Sequence, residues 1–470
     1  SAFAEALRFC VYKLRESANM SPASIHQNGP QTSQANPAEI FHGISHVSTD
    51  VNNAWYPLCT HKEVPKKGAC KRPLATRILG QPVALFRDES NTVRCFADRC
   101  PHKNAKLSVG RVVNGKLECF YHGWQFDSHS GAVDHIPFLL HDKSIPAQAV
   151  TKAYPCVEKY NLVWVWPGDV EKADGGLIPF FEDFTDRKMM WSGWSLETPI
   201  DHSLWVENVL DHAHVNFVHD GQFTSRGLAC PLKQVVTPTK TGIKGVQVRE
   251  SEKFAHEATS LELEWVAPCL GIVRLVFGSQ IANLYIFGVP MAPGMSRLLL
   301  SSYASSALMG VTMDHLPLPR GLKYLLQMNV PSRDAIAMTS QMRNMREGCS
   351  PLELPIACDE MAVIYRRWHA RAFTDDVWWK GWNGTLDVED LAKSAGQSCF
   401  GAAACGEFER DVARSSLWAP MCGKALAQRF ANQRHESDPF AQPLWKNALM
   451  LAAAGAVGAL VTLRVAKQTS

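Results

Sequence analysis

The chain has 470 residues, which is enough for two or three domains with a sizeable core. Its net charge is only +3, and it has no dense run of lysine and arginine with interleaved aromatic residues. This composition excludes a polybasic nucleic-acid-binding protein. The fourteen cysteines are scattered, so a disulfide scaffold is not expected; most thiols are predicted to be reduced, and a few to bind metal.

The N-terminal segment is rich in Ser, Ala, Asn and Gln and poor in acidic residues. Between Ser21 and Pro37 it has almost no large apolar residue, which predicts disorder. Residues 1–48 are therefore interpreted either as an unstructured tail or as the remnant of an organelle transit peptide. Composition alone does not choose between the two.

Residues 49–170 are predicted to form a small all-β domain, because short β-rich runs alternate there with turn signals. The clearest runs are Arg77 to Leu79, Pro82 to Phe86 and Val93 to Phe96. Residues 171–425 have a mixed pattern that predicts an α+β domain. Its predicted helices are Trp205 to Phe217 and Leu325 to Met345, and its predicted strands are Val248 to Glu264, Val273 to Val289 and Arg297 to Tyr303.

The C-terminal region ends in an uncharged segment from Ala448 to Leu463. A helix of that length spans roughly 24 Å, slightly less than the ~30 Å hydrocarbon core of a bilayer. Flanking tryptophan, lysine and arginine side chains can extend it by snorkelling. We predict a linker at residues 426–444 and a transmembrane helix at residues 445–465; the alternative is an Ala/Gly-rich core helix.

Two short loops carry the first chemical signal, Cys100 with His102 and Cys119 with His122. One cysteine and one histidine per loop is the ligand pattern of a Rieske cluster, in which two thiolates hold one iron and two imidazoles hold the other. A Cys2His2 zinc site is the alternative, but zinc fingers group cysteine with cysteine and histidine with histidine. The spacing therefore predicts a [2Fe-2S] cluster on these four residues.

A second metal signal lies in the segment that contains Asp211, His214 and His219. The two histidines are five residues apart and do not share one face of a straight helix, so the helix is predicted to end or distort between them. Asp211 lies one turn before His214 and is predicted to orient it by a hydrogen bond.

An Fe(II) site that activates O₂ typically uses two histidines and one carboxylate. The spacing leaves four candidates for that carboxylate, and it does not choose among them. They are Asp314, Asp334, Asp359 and Glu360.

Together the motifs resemble the α-subunit of the Rieske non-heme iron oxygenases, whose iron segment is matched by Asn208-x-x-Asp211-x-x-His214-x-x-x-x-His219. Within that family the chain is similar to the chloroplast branch that includes pheophorbide a oxygenase, over about residues 53–370. The segments that carry this similarity are Asn53-Ala54-Trp55-Tyr56-Pro57, Gln327-Met328-Asn329-Val330 to Gln341, Tyr365-Arg366-Arg367-Trp368 and the hydrophobic C-terminal segment.

The resemblance implies an all-β Rieske domain followed by a helix-grip-like α+β catalytic domain. It also implies that the third iron ligand is Asp334, which has a glutamine seven residues later at Gln341. Asp211 would bridge the cluster of one subunit to the iron of its neighbour, with Asn208 beside it in the catalytic set. Such a head-to-tail contact must close on itself, which implies a homotrimer or another ring.

The implied partners are O₂, a hydrophobic substrate and a separate electron donor, because the chain has no dinucleotide fingerprint and no P-loop. The expected donor is ferredoxin or a similar protein, which the basic segment from His61 to Arg72 would attract, unless that segment is only a solvated loop. The expected location is a chloroplast membrane. Plant members of the branch usually have a Cys-x-x-Cys pair, whereas here the corresponding region has only Cys422.

Three functions are compatible with these features. The first is oxygenation of a chlorophyll-related tetrapyrrole. The second is oxygenation of a sterol or another lipid by the same iron chemistry. The third is a membrane redox or translocon component that uses only the cluster, which a complete set of iron ligands argues against.

Overall fold

The structure is a computed structural model that describes residues 42–66, 72–186, 188–222, 224–249, 260–277, 280–305 and 330–374. The predicted linker and the predicted transmembrane helix at residues 445–465 lie outside the described residues, as does Asp314. In the described ranges no helix is both long and apolar enough to cross a membrane.

The described part of residues 56–165 contains eleven short strands. They are β1 Tyr56–Thr60, β2 Leu74–Ile78, β3 Gln81–Arg87, β4 Val93–Ala97, β5 Arg111–Val113, β6 Lys116–Glu118, β7 Gln125–Phe126, β8 Val133–His135, β9 Ala153–Tyr154, β10 Cys156–Lys159 and β11 Leu162–Val165. They form three sheets, in the orders β1-β11-β10, β2-β3-β4-β9 and β5-β6-β7-β8. All neighbouring strands are antiparallel.

The three strands predicted in this domain overlap β2, β3 and β4, and one of the three is shifted. The first begins at Leu74 and ends before Leu79, which has a φ of 45° and opens a turn completed by Gly80 at φ 76°. Glycine adopts such a left-handed φ without steric cost, so the turn signal at Gly80 was correctly placed, whereas Gln81 already belongs to β3.

The predicted catalytic domain is a seven-stranded antiparallel sheet with four α-helices among its described residues. Its strands are β12 Met190–Thr198, β13 Leu232–Pro238, β14 Gly242–Arg249, β15 Ser260–Val266, β16 Leu270–Phe277, β17 Gln280–Ala292 and β18 Met295–Ala304, and its helices are α1 His202–Leu210, α2 Val215–Val218, α3 Pro331–Arg346 and α4 Glu360–Ala372. The strand order is β12-β18-β17-β16-β15-β14-β13. α1 contacts the middle of this sheet and both long helices α3 and α4.

Three elements differ from the sequence prediction. The stretch Val248 to Glu264 was predicted as one strand but covers the end of β14 and most of β15, which pair with each other. The stretch Val273 to Val289 was also predicted as one strand but forms parts of β16 and β17, which pair with each other. The helix predicted over Trp205 to Phe217 ends at Leu210, and a separate short helix follows at α2.

The ordered chain begins before residue 49, contrary to the predicted extent of the N-terminal tail. Ile44 and Val47 are almost fully buried and belong to the same core cluster as Trp265, Ile364 and Trp368. The disorder expected up to residue 48 is therefore wrong for residues 42–48. The two apolar side chains are buried against α4, an element more than 300 positions away in the sequence, which no local pattern reveals.

The β domain and the catalytic domain share one hydrophobic core. Trp164 of β11 meets Phe287 of β17 edge to face, with ring centroids 5.6 Å apart. Phe181 stacks on Tyr285 of β17 at 4.0 Å. Burial of such large aromatic side chains across the boundary fixes one domain on the other.

Candidate metal centres

Two loops of similar shape carry the predicted cluster residues. In the first, the Cys100 carbonyl accepts a hydrogen bond from the Asn104 N–H at 2.9 Å; in the second, the Cys119 carbonyl accepts one from the Gly123 N–H at 3.0 Å. Each turn closes on a residue with a left-handed φ, 59° at Asn104 and 70° at Gly123. Asn and Gly adopt this conformation most readily, so each turn is encoded four residues after its cysteine.

The two thiols lie buried beside each other, each with about 2 % of its surface exposed. Cys119 accepts hydrogen bonds from the Cys100 thiol and from the backbone N–H groups of Tyr121 and His122, and these lower its pKa to about 6. A thiolate is the form that binds iron, so the loop stabilises Cys119 as a ligand.

The two imidazoles lie nearer the surface. The rings of His102 and His122 have centroids 4.5 Å apart, and Trp124 stacks on His102 at 4.6 Å with an angle of 3°. Burial and the neighbouring His102 and Lys103 lower the pKa of His122, which favours the neutral imidazole that ligates metal. Two adjacent thiols beneath two adjacent imidazoles fit the donor set of a Rieske cluster.

The second predicted site is also brought together. Asp334 Oδ1 lies 3.0 Å from His219 Nε2 and 3.5 Å from His214 Nε2. One possible ligand atom of each residue lies within 4.8 Å of the others. Asp334 Oδ1 is buried, yet it has no hydrogen bond of acceptable geometry within the described chain. Two histidines and a carboxylate that converge in this way fit an Fe(II) site with open positions.

The outward-facing ring nitrogen of each histidine faces an oxygen of a neighbouring side chain. Asp211 Oδ2 lies 3.6 Å from His214 Nδ1, which is longer than a hydrogen bond. Gln222 Oε1 lies 2.9 Å from His219 Nδ1, within hydrogen-bond distance. Partners of this kind orient the rings and leave both Nε2 atoms directed at Asp334. Asn208 differs from these partners, because its Nδ2 lies 3.4 Å from His214 Nε2, the ring nitrogen that also faces Asp334.

The electrostatic environment of the site attracts a cation. Burial alone would lower the pKa of His214, but the carboxylates of Asp211 and Asp334 outweigh it and raise the pKa above the ordinary histidine value. Asp211 itself has a lowered pKa because its hydrogen bonds and the nearby His214 outweigh its burial. Both carboxylates thus favour positive charge at the position where the three side chains meet.

The backbone reaches this arrangement differently from the prediction. α1 ends at Leu210, before His214, and the helix that ends between the two histidines, as predicted, is the separate helix α2. Asp211 then has an extended backbone, and its Oδ1 accepts hydrogen bonds from the backbone N–H groups of Ala213 and His214. The short helix α2 separates His214 from His219. Asp211 therefore sits beside His214 through a turn and not through one turn of a helix.

Only one of the four candidate carboxylates lies at the histidines within the described chain. Asp334 belongs to the first turn of α3. Asp359 instead accepts a hydrogen bond from the Ile356 N–H at 2.8 Å at the start of α4. Glu360 has a raised pKa through burial, and it does not join the group of possible ligands.

Two contributors were missed by sequence reasoning. One is Gln222, the partner of His219. The other is Arg333, whose guanidinium donates to the carbonyls of Val218 at 3.2 Å and Asp220 at 2.9 Å. Arg333 thus holds the loop after His219 against the start of α3, next to Asp334. The sequence signal available for Arg333 was its position next to Asp334, the predicted iron ligand.

Gln341 lies on α3 but is not at the iron position. Its Nε2 donates to Glu207 Oε1 and to the Pro351 carbonyl, each at 3.1 Å. Glu207 also pairs with Arg366 of α4. The glutamine therefore joins α3 to α1, which fixes the helix that carries Asp334.

Comparisons with known proteins agree with this architecture. Residues 54–155 match the family model of the Rieske [2Fe-2S] domain. The chain is 37 % identical over 224 residues to protein TIC 55, chloroplastic, of Arabidopsis thaliana, covering 47 % of this chain and 40 % of that protein. It is 28 % identical over 345 residues to chlorophyllide a oxygenase, chloroplastic, of Chlamydomonas reinhardtii, covering 68 % of this chain and 48 % of that protein. The chain thus spans less than half the length of either relative.

Among solved structures, the crystal structure of dicamba monooxygenase bound to dicamba matches with a TM-score of 0.58 and 25 % identity. The match covers 69 % of this chain and 98 % of that one. The matched domain, the fold and the two groups of side chains support a Rieske non-heme iron oxygenase, the class that the sequence motifs predicted. The chain is also similar to chloroplast proteins, as those motifs predicted. The matched domain implies a [2Fe-2S] cluster, and the converging side chains of His214, His219 and Asp334 fit a non-heme iron.

Proposed function

We propose that this protein oxygenates a chlorophyll-related tetrapyrrole, using O₂ and single electrons from ferredoxin or a similar donor. The observation that carries the proposal is the convergence of His214 Nε2 and His219 Nε2 on Asp334 Oδ1, in the same chain as a Rieske domain. Electron transfer alone would need no second metal position.

In this proposal the four loop residues hold the cluster, with Cys100 and Cys119 on one iron and His102 and His122 on the other. The mononuclear iron is held by His214, His219 and Asp334, whose possible ligand atoms lie within 4.8 Å of one another. When bound, the cluster passes single electrons and the mononuclear ion, with its open positions, activates O₂.

The residues around the iron position hold its ligands and shape the route to it. Asp211 orients His214, and about a third of its own side chain is exposed. His102 of the cluster loop is exposed as well. An exposed cluster imidazole on one subunit and a part-exposed Asp211 on the next are suited to the bridging role, which supports the proposed homotrimer.

The proposed donor is ferredoxin, an acidic protein that basic side chains would steer. Lys62 and Lys66 are exposed on the loop after β1. The remainder of that basic segment, residues 67–71, lies outside the described residues. Steering of this kind is an on-rate effect that falls with ionic strength.

The substrate class is proposed from similarity to chlorophyllide a oxygenase, whose name states its substrate and whose match extends over 68 % of this chain. The chloroplast location follows from the same relatives.

Attachment to a chloroplast membrane would rest on the segment at residues 445–465. Removal of Trp445 onward should then release the protein from membranes without loss of the cluster absorption.

The experiment is turnover of the purified protein with reduced ferredoxin and ¹⁸O₂, with a panel of chlorophyll-related pigments and sterols. We expect a pigment product that carries ¹⁸O, detected by mass spectrometry. Oxygenation of sterols alone would support the lipid oxygenase instead. Reduction and reoxidation of the cluster without any oxygenated product would support the redox component that uses only the cluster.

A further inference from the structure

A second group of possible metal ligands lies at the N-terminal end of α1, opposite the end that leads to the iron site. Asp201 is the N-cap of α1, His202 is its first residue, and His369 lies in the last turn of α4. Their exposed fractions are 1 %, 0 % and 7 %. One possible ligand atom of each lies within 4.8 Å of the others, as at the iron triad.

The hydrogen bonds of Asp201 leave one of its oxygens for another partner. Asp201 Oδ1 accepts from the Ser203 N–H at 2.9 Å and from Ser203 Oγ at 2.6 Å, which caps α1. Asp201 Oδ2 is fully buried and accepts no hydrogen bond from any residue that the structure describes. A buried carboxylate oxygen without a partner costs free energy, so its position calls for a positive group.

Arg366 of α4 does not provide that group. Arg366 pairs with Glu207 and donates to Ser203 Oγ, so its charge is already balanced. When the imidazoles of His202 and His369 are neutral, the negative charge of Asp201 has no positive counterpart among these described buried groups. The ring of Phe373 covers the two imidazoles, with centroids 4.5 Å from His202 and 4.7 Å from His369.

We propose that Asp201, His202 and His369 form a buried structural site for a divalent transition-metal ion of the zinc type. His202 Nε2 and His369 Nε2 lie 3.2 Å apart, which is close to the separation of two nitrogens that share one ion at about 2.0–2.1 Å. The Asp201 carboxylate completes the donor set. Its Oδ1 lies 3.4 Å from His202 Nδ1 and accepts the two hydrogen bonds from Ser203 that orient the carboxylate, and its Oδ2 is left for the ion.

The ion would clamp α4 onto α1. The site is too buried for a substrate, so its role is structural and separate from the proposed oxygenation. Because α1 leads directly to Asp211, the clamp would also fix the helix on which the iron segment depends.

The test is metal analysis of the full chain with both iron centres loaded. The protein is incubated with zinc, freed of loosely held ions by gel filtration and assayed for zinc, iron and acid-labile sulfide. We expect one zinc ion per chain in addition to the iron of the two centres. The same zinc should remain in an Asp334→Ala variant, which separates this site from the iron triad.

Two substitutions and one control locate the ion. Asp201→Asn keeps an equally good helix cap and should lose the zinc while retaining the cluster and the iron. His369→Ala should do the same. Phe373→Leu removes the covering ring but no ligand, and it should keep the zinc. Absence of zinc from the wild-type protein, or full zinc in folded Asp201→Asn and His369→Ala, would overturn the proposal.

Discussion

At each histidine of the proposed iron site, the ring nitrogen that faces away from Asp334 faces an oxygen of a neighbouring side chain. Asp211 faces His214 Nδ1, and Gln222 Oε1 lies 2.9 Å from His219 Nδ1. An acceptor there selects the tautomer that leaves Nε2 to bind metal. Gln222 therefore supports one ligand in the way that Asp211 supports the other.

Replacement of Gln222 by leucine should weaken iron binding about 10–100-fold, because His219 loses the group that fixes its ring. Iron titration of the apo-protein, with the cluster signal as an internal reference, measures this. Gln222→Glu keeps an acceptor and serves as the matched control, with affinity near that of the wild type. Equal iron affinity in all three proteins would show that Gln222 does not orient His219.

Asp88 is the residue at which a pH effect is expected in the β domain. Its carboxylate accepts hydrogen bonds from Ser90 Oγ, the Thr92 N–H and Arg94 Nε. Burial alone would raise the pKa of Asp88, but these hydrogen bonds outweigh it, so the pKa lies below the ordinary value. A carboxyl group with a lowered folded-state pKa contributes stability that is complete above its unfolded pKa of about 3.9.

Asp88→Asn should therefore lower the free energy of unfolding by about 1–3 kcal/mol at pH 7. The difference from the wild type should shrink as the pH falls through the folded-state pKa, where Asp88 itself becomes protonated. Urea unfolding at pH 7 and near pH 3 measures both values. A difference of the same size at both pH values would mean that the Asp88 charge is not responsible.

At the scale of elements, three helices meet through one buried carboxylate. Glu207 of α1 accepts a hydrogen bond from Gln341 of α3 and pairs with Arg366 of α4. The side chains of Glu207 and Arg366 are 11 % and 10 % exposed, so each would be a nearly buried charge without the other. The relative placement of the helix with Asp334 and the segment with Asp211 depends on this contact.

Removal of the charge by Glu207→Gln should destabilise the protein by about 3–5 kcal/mol, since Arg366 is then left without its counter-ion. The exposed Arg343 on α3 offers a control, because Arg343→Gln should change stability by no more than about 0.5 kcal/mol. Thermal and urea unfolding compare the two. Equal effects of both substitutions would mean that the buried pair does not hold the helices together.

The elements also show what sequence could and could not predict. The four cluster residues were predictable because each cysteine and histidine pair lies on one tight loop. Asp334 lies more than a hundred positions after the histidines. Spacing therefore did not distinguish Asp334 from Asp359 as the third iron ligand, and only the family resemblance favoured Asp334. Gln222 lies close to His219 in sequence, but a lone glutamine carries no chemical signal until its contact is seen.

At the scale of the whole molecule, one buried arginine joins the two domains. Arg297 of β18 is 1 % exposed and pairs with Glu63, which follows β1, and with Glu197 of β12, each at 2.9 Å. It also donates to Thr76 of β2 at 3.3 Å. Sequence did not indicate this network, because its members come from four separate strands or loops.

Arg297→Met should lower the free energy of unfolding by about 3–5 kcal/mol, because two carboxylates lose their shared counter-ion at the domain boundary. Lys244→Met breaks the part-exposed pair with Glu262 and is the control, with an expected loss of about 1 kcal/mol or less. Urea unfolding followed by the cluster absorption and by circular dichroism gives both values. A small loss for Arg297→Met would show that the shared aromatic core alone joins the domains.

The most direct test of the account is the iron content of Asp334→Ala. With His214 and His219 left without the carboxylate, the protein should lose its mononuclear iron but keep the sulfide and the EPR signal of the cluster. Asp211→Asn, which changes the bridge and not a ligand, should largely retain both metals while turnover stops. Full mononuclear iron in Asp334→Ala, together with its loss in Asp359→Ala, would contradict the assignment of the iron site.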